Sequence, residues 1–365
     1  MKKLLLASTA LVATAGFAAA DVALTGSAEM GIKREAGNDV TEFHTDVDVR
    51  FTMSGESDNG ISFGAVVDLE DAAQMGGTNT DTNVDYNVFI SAGAATLTMG
   101  DTDGAFDAAL DEVNVAGGSI ADDETAHAGF SGNGGPVAIT AGAAAVGLDL
   151  NGDGDITDAG ETLAAAVPFA ISTSMGLDGG QDGQVARFDY AFSGATASLS
   201  VEVPDTDDGS DPVWGIGVNW SGDLSGLTLG VGVGYQAQND VGNVAGLSLK
   251  TTFSNGIVAA VNFSRYNDDG GALPDHSHAA IGLGYSAGAL AIGVNYGVYT
   301  LNEDFGAMDS GETLSSGFGL AASYDLGGGL SAHLGYGSSS INDDATPAGF
   351  DDDFDSISLG LAMAF

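Results

Sequence analysis

The sequence contains no cysteine and very few basic side chains. Without thiols there are no disulfides, no thiolate metal sites and no thiol nucleophile. Only 8 Lys and Arg stand against 51 Asp and Glu among 365 residues, which gives a formal net charge of −43. Because affinity for nucleic-acid phosphates depends on Lys and Arg, this charge balance excludes a nucleic-acid partner.

Beyond its N-terminal segment the chain also lacks a long apolar run. No stretch of about 20 continuous apolar residues occurs there, so the sequence predicts no membrane-spanning helix. The 57 glycines argue against a long helical bundle, because each glycine inside a helix costs about 1 kcal/mol relative to alanine. Hydrophobic residues nevertheless reach 44%, too many for a disordered acidic chain.

The first twenty residues are organised like a secretory signal peptide. Residues 1–3 carry two lysines, residues 4–17 are apolar or small, and residues 18–20 are alanines. These features match the charged region, the apolar region and the small-residue cleavage site of an export signal. We expect cleavage after Ala20, which leaves residues 21–365 as the mature chain.

Most of the mature chain alternates polar and apolar residues with a period of two. Asp46, Asp48 and Arg50, for example, alternate with Val47 and Val49. Successive side chains of a strand point to opposite faces, so each such segment predicts a strand with one polar and one apolar face. Sixteen segments show this pattern, near residues 22–34, 40–54, 60–70, 83–91, 94–100, 184–193, 195–203, 213–221, 226–237, 243–254, 256–267, 277–286, 289–302, 313–325, 329–340 and 353–365.

The faces of these strands indicate a membrane barrel. Short Gly/Ser turns alternate with longer acidic loops, as in outer-membrane barrels. The polar rows contain charges such as Glu29 and Lys250, and a soluble core lined by unpaired charges would be unstable. We therefore expect charged rows to face a water-filled lumen and apolar rows to face lipid. Aromatic residues that end apolar rows predict interfacial girdles, formed by Phe51, Trp214, Trp220, Tyr235, Tyr285, Tyr299, Tyr324 and Tyr336.

The predicted fold is all-β, a transmembrane antiparallel β-barrel of sixteen strands over residues 21–365. Sixteen strands enclose an aqueous channel, whereas eight would fill their own interior. Closure also removes the sheet edges, which lipid does not tolerate. Residues 136–176 look like an insertion in a long loop, but two further strands there would give an alternative of eighteen.

Several stretches resemble the general porins of alphaproteobacteria, a family of trimeric sixteen-stranded proteins. They are DVALTG at 21–26, RFTMSG at 50–55 with the strand start at 60–64, MGD at 99–101 and ASYDLGGG at 322–329. Phe365 at the end of an alternating strand looks like the signal that the barrel-assembly machinery reads. The resemblance implies a homotrimer in the outer membrane of a Gram-negative bacterium, among lipid and lipopolysaccharide. It also implies passive uptake of small polar solutes and ions through pores that an inward-folded third loop narrows.

That third loop is visible as the connection over residues 101–183, far longer than any other. Loops of such length are usually functional. Its first part has no Lys or Arg and carries Asp101, Asp103, Asp107, Asp111, Glu112, Asp122, Asp123 and Glu124. Inside the lumen these carboxylates would face basic wall residues, for which the candidates are Arg50, Arg187 and Lys33. Because charged pore rings select ions, we predict a cation preference. A solvated extracellular loop is the alternative.

Residues 149–161 within this loop resemble a calcium-binding loop. DLNGDGDITDAGE has acidic or amide side chains at its first, third and fifth positions and glycine at its sixth. Its twelfth position is Gly160 instead of a bidentate acid. The predicted oxygen ligands of Ca²⁺ are Asp149, Asn151, Asp153, Asp155, Asp158 and Glu161, and the resemblance supports calcium because such porins hold it near the third loop. A plain Asp/Gly turn is the alternative, since the same residues favour turns.

No catalytic constellation stands out, so no enzymatic activity is expected. The sequence shows no Ser-His-Asp set that the strands would bring together. His276 and His278 form a pair at a loop edge without other fixed ligands, which is insufficient for zinc. Two other functions are the alternatives: a secreted calcium-binding Gly/Asp-rich β protein of adhesin type, and an outer-membrane barrel enzyme.

Overall fold

The computed structural model describes residues 21–34, 40–69, 84–120, 127–130, 137–140, 170–173, 176–178, 184–204, 209–270, 273–305, 308–342 and 353–365. The helix α1 is Ala105–Ala109. The strands are β1 Asp21–Arg34, β2 Glu42–Glu56, β3 Ser62–Leu69, β4 Val84–Ala92, β5 Ala95–Gly100, β6 Val137–Thr140, β7 Ala170–Thr173, β8 Val185–Phe192, β9 Ala195–Glu202, β10 Val213–Leu224, β11 Leu227–Gln238, β12 Gly242–Phe253, β13 Ile257–Asp268, β14 His276–Ala287, β15 Leu290–Leu301, β16 Thr313–Gly327, β17 Leu330–Ile341 and β18 Asp353–Ala364. Within the described ranges, no helix has the length and hydropathy needed to cross a bilayer.

Sixteen of the strands close into one antiparallel barrel, in which β1 pairs with both β2 and β18. Neighbours in the chain are neighbours in the sheet, except that β5 pairs directly with β8. The predicted sixteen-stranded barrel is confirmed, and each strand lies within a few residues of its predicted position.

The eighteen-strand alternative is wrong. The segments β6 and β7 pair only with each other and form a separate two-stranded sheet. Four residues of strand span about 13 Å, well short of the roughly 25 Å apolar band that a transmembrane strand must cross. These short strands therefore belong to the connection between β5 and β8.

Tight turns join the strands at one end of the barrel. The turn between β8 and β9 has φ angles of 46° at Ser193 and 80° at Gly194. Positive φ at both central residues gives the twist that a two-residue hairpin needs, and glycine adopts it without strain. The longer connections lie at the opposite end, although residues 239–241 alone join β11 to β12 there.

Most residues of the outward rows are apolar, and most residues of the inward rows are polar or small. On β12, Leu247 and Leu249 are 50% and 40% exposed, whereas Ser248 between them is 0% exposed. Ser248 points inward, because its hydroxyl accepts a hydrogen bond from the amide of Asp111 inside the barrel. Apolar residues outside and polar residues inside are the arrangement expected of a barrel in lipid.

One of the predicted girdle aromatics lies on the opposite face. Tyr299 pairs with inward-facing Ser315 and is fully buried, with its ring centroid 4.5 Å from that of His278. Strand β15 carries tyrosines on both rows near this end, and Tyr296 is the exposed, outward one. The assignment of Tyr299 to the lipid-facing girdle is therefore wrong.

Candidate pore constriction

The third loop (residues 101–184) turns into the barrel instead of over its rim. Its helix α1 packs against β9, β10 and β11. Farther along, Val113 lies against the inward face of β14, and Ile120 lies against β1 and β18. The described part of the loop thus follows the inner wall from β9 round to β1, as the sequence predicts.

Inward-facing glycines allow the loop backbone to touch the wall. A Cβ added at Gly232 of β11 would overlap the carbonyl oxygen of Ala109 and come within 2.6 Å of the Ser248 hydroxyl. Added Cβ atoms would overlap loop carbonyl oxygens in the same way at Gly217, Gly282, Gly293 and Gly297. Side chains at these positions would hold the loop away from the wall, so the glycine-rich inward rows serve its docking.

Polar side chains of the wall bind the main chain of the loop. The Ser200 hydroxyl accepts a hydrogen bond from the amide of Ala105 at 2.9 Å. The Ser248 hydroxyl accepts one from the amide of Asp111 at 2.8 Å, and Asn262 Nδ2 donates to the Asp111 carbonyl at 3.3 Å. Buried amides and carbonyls left without partners would cost free energy, so these bonds stabilise the docked position.

The described loop residues include five of the eight carboxylates predicted to narrow the pore. Asp101 and Asp103 are exposed, and Asp107, Asp111 and Glu112 are partly buried. The remaining three, Asp122, Asp123 and Glu124, lie outside the described residues. The structure therefore brings the first five into the barrel interior.

Asp101 lies beside a second carboxylate. It directly follows β5, and its amide donates to the carbonyl of Tyr86 at 2.8 Å. Partial burial, a hydrogen bond with Asp85 and the negative charges of Asp85 and Asp103 raise the pKa of the Asp101 carboxyl to about 6. The charge in this part of the lumen therefore changes as the pH passes through that value.

Two predicted wall residues are bound to carboxylates of their own or neighbouring strands. Arg50 Nε donates to Asp68 Oδ2 at 2.6 Å, and the Arg50 side chain stays 50% exposed. Arg187 Nε donates to Asp189 at 3.1 Å. Arg187 also donates through Nη1 to the carbonyl of Asp103 at 2.6 Å, which ties the start of the loop to β8.

Lys250 pairs with a loop carboxylate; its alternation predicted that it faces the lumen, but it was not predicted to belong to the constriction. Its Nζ lies 3.2 Å from Asp111 Oδ1. The alternation of β12 reveals that Lys250 faces inward, but not which loop residue lies opposite. Lys33, in contrast, lies 4.0 Å from Glu42 on the adjacent strand.

A second described stretch of the loop, residues 127–130, is bound to the wall at β16 and β17. The amide of Ala128 donates to Ser339 Oγ at 2.9 Å, and its carbonyl accepts from Ser315 Oγ at 2.8 Å. Both serines are buried and lie on the inward rows. The wall again holds the loop by its main chain.

Three histidines gather at this contact. His127 lies on the loop, with Nε2 2.7 Å from Asn295 Oδ1. Burial lowers the pKa of His127, an effect that this hydrogen bond partly opposes. The pair His276 and His278, expected at a loop edge, is fully buried on β14. Their alternate spacing on an inward row is the signal that sequence analysis did not use.

The predicted calcium ligands, residues 149–161, lie outside the described residues. The segments flanking them pair as β6 and β7, with Val137 opposite Thr173. Within the described ranges, no group of three or more His, Cys, Asp or Glu side chains is arranged to hold a metal ion. At the other predicted site, Phe365 follows β18, and its amide donates to the Gly26 carbonyl at 2.9 Å where the barrel closes.

The known proteins to which this chain is similar are porins. A family model described as Gram-negative porin matches residues 7–346. The porin of Rhodobacter capsulatus is 27% identical over 324 residues, covering 85% of this chain and 92% of that protein. A porin structure refined at 1.8 Å resolution has a TM-score of 0.61 at 20% identity, and a mutant of the Rh. blastica porin has 0.59 at 16%. Both alignments cover 94% of this chain and 100% of the other, and they show a shared fold.

Proposed function

Because the chain belongs to the Gram-negative porin family and forms an outer-membrane channel, we propose that it passes small hydrophilic solutes and ions passively and prefers cations. Its relatives point to a channel rather than to an enzyme. The observation that carries the proposal is an acidic loop docked along the inner wall, where it narrows the water-filled lumen.

The charges around the loop support the cation preference. Asp101 and Asp103 are exposed at the start of the loop. The cationic groups of Arg50, Arg187 and Lys250 on the wall are paired with Asp68, Asp189 and Asp111, which cancels much of their field. The uncompensated charge of the lumen is therefore negative, and it concentrates cations in the pore.

Planar-bilayer recording in a salt gradient tests this preference. The sign of the reversal potential of the wild-type channel is expected to show cation selectivity, and the double variant Asp101→Asn/Asp103→Asn is expected to reduce it. Asp223→Asn is the matched control, because Asp223 faces inward near the turn end of β10, away from the loop. A wild-type reversal potential of zero or of anionic sign would contradict the proposal.

We also propose that the channel is a homotrimer set in lipid and lipopolysaccharide. The support is the family membership and the exposed apolar outward rows, which suit both acyl chains and a neighbouring copy. Native mass spectrometry in mild detergent is expected to give three times the mass of the mature chain. A monomeric mass together with full channel conductance would refute the trimer.

Calcium binding by residues 149–161 is proposed from the chemistry of the side chains. Carboxylate and amide oxygens are the ligands that Ca²⁺ prefers, and the flanking segments pair as a hairpin, which suits a compact loop. Titration of the full-length protein with Ca²⁺ is expected to show binding that Asp153→Asn/Asp155→Asn abolishes. Asp207→Asn/Asp208→Asn, in another acidic connection, is the control. Equal binding by both double variants would refute the site.

Export and assembly signals complete the proposal. Removal of residues 1–20 predicts a mature chain that starts at Asp21, which the intact mass of the purified protein checks. Phe365 is proposed as the residue that the barrel-assembly machinery reads, and its exposed side chain at the end of β18 suits that role. Deletion of Phe365 is expected to lower the amount of folded barrel in the outer membrane without changing the conductance of the channels that form.

A further inference from the structure

Gly129 of the third loop is held by two imidazoles. Its carbonyl accepts a hydrogen bond from His278 Nε2 at 3.0 Å, and its amide donates to His127 Nδ1 at 3.2 Å. His127 Nε2 in turn donates to Asn295 Oδ1 at 2.7 Å. A carbonyl can only accept and an amide N–H can only donate, so His127 must be neutral with its proton on Nε2, and His278 must carry a proton on Nε2.

Protonation would act differently at the two histidines: it would break a hydrogen bond at His127 and bury a charge at His278. A proton on His127 Nδ1 would point at the Gly129 amide, which is itself a donor, and would remove that bond. His278 is 0% exposed, and its Nδ1 makes no hydrogen bond within the described part of the chain. A proton there would create a buried charge with an unsatisfied N–H, which is costly.

The strands packed against these imidazoles bring mostly neutral groups to them. The ring of Tyr299 of β15 packs against His278 at a tilt of 31°, and a charge on His127 or His276 would repel a charge on His278. The other described side chains that face this contact from β13, β16 and β17 are Ser264, Tyr266, Ser315 and Ser339.

Carboxylates lie on the far side of His276. Asp268 accepts a hydrogen bond from the Tyr266 hydroxyl at 3.0 Å, and Asp275 accepts one from the Asp268 amide at 2.7 Å. These acids would partly offset a positive charge on His276. Protonation of His276 is therefore not expected to displace the 127–130 turn. Asp122, Asp123 and Glu124 precede His127 in the chain but lie outside the described residues.

We propose that His127 and His278 are positioning residues that hold the 127–130 turn against the wall only while both are neutral, so that acid releases the turn into the lumen and lowers the conductance. The inference rests on the proposed role of the third loop as the pore constriction. It concerns a different part of the loop from Asp101, and it involves movement of the chain rather than a change of pore charge alone.

Single-channel recording over a pH series from about 8 to about 4.5 tests the proposal. The wild-type channel is expected to enter a state of reduced conductance as the pH falls. The ratio of reduced to full state should rise about tenfold per pH unit for one proton and about a hundredfold for two. His127→Asn/His278→Gln retains an acceptor for the Gly129 amide and a donor for its carbonyl without titrating, and is expected to lose this transition.

His44→Gln is the matched control. His44 faces the lumen on β2, with Nε2 3.7 Å from Glu29, and belongs to a different part of the wall. This variant is expected to keep the transition of the wild type. A transition that survives in His127→Asn/His278→Gln, or that disappears in His44→Gln alone, would overturn the proposal.

A reversible crosslink separates loop movement from a change in charge. The chain has no cysteine, and the Ala128 amide lies 2.9 Å from Ser339 Oγ, so Ala128→Cys/Ser339→Cys offers a single disulfide between turn and wall. The oxidised protein is expected to lack the acid transition and to regain it on reduction. An unchanged transition in the oxidised protein, or no transition in the wild type, would overturn the proposal. Absence of any channel at about pH 8 would instead contradict the proposed function.

Discussion

Replacing Gly232 by alanine puts a methyl group where the third loop meets β11. The new Cβ would overlap the carbonyl oxygen of Ala109 and lie 2.6 Å from the Ser248 hydroxyl. Neither group can give way cheaply, since one is main chain and the other holds the Asp111 amide. Overpacking of this kind costs about 1–3 kcal/mol, which shifts the docked-to-undocked ratio of the loop by roughly 5- to 150-fold.

The expected result is a lower and noisier conductance in planar bilayers, because the displaced loop can only move toward the lumen. Gly230→Ala is the control, two residues away on the same inward row. Its Cβ would meet the Asp111 carboxylate at 3.0 Å, and rotation of that side chain weakens only its ion pair with Lys250 and leaves the main chain of the loop in place. Wild-type conductance in Gly232→Ala, or equal losses in both variants, would refute the role assigned to the glycine.

Four other predictions concern the same loop. The cation preference should increase as the pH rises through about 6, where Asp101 ionises, and Asp101→Asn should remove that increase in the reversal potential. Folding raises the pKa of Asp101 from 3.8 to about 6. The contribution of Asp101 to stability is therefore full below pH 3.8 and is lost as the pH rises through about 6. Comparing the heat stability of wild type and Asp101→Asn across this pH range tests the direction of the effect. Lys250→Gln removes the cation that faces Asp111 and should raise the cation preference in the same salt-gradient assay. Ser248→Ala leaves the buried Asp111 amide without its acceptor and should destabilise loop docking by about 1–3 kcal/mol, measured as more frequent closures.

The strands were predictable because lipid and water act on the two faces of the wall along its whole length. The strands β10 to β15 each alternate over twelve residues, long enough to set the period and the face from sequence alone. Tyr299 shows the limit of this signal. Near the end of β15 both rows carry aromatic residues, so the residue type no longer tells which row faces lipid.

The contacts of the third loop were not predictable in this way. Alternation shows that Lys250 and His278 face inward, but their partners Asp111 and Gly129 lie 139 and 149 residues away in the chain. Which loop residue meets which wall residue depends on the path of the loop across many strands. The inward glycines did not predict that the loop docks on them, because a row of glycines is equally suited to lining a water-filled lumen.

The position of the docked loop and the ion selectivity of the pore depend on different groups of the loop. Wall side chains such as Ser200, Ser248 and Ser315 bind main-chain atoms of the loop, and inward glycines admit its carbonyls. Main-chain bonds do not depend on the side chains that the loop carries, so its charges can change while the loop stays in place. Asp111 and His127 differ, because their own side chains bind the wall, at Lys250 and Asn295. The His127 imidazole also accepts the Gly129 amide, so at the 127–130 turn a single proton can alter the position of the loop as well as its charge.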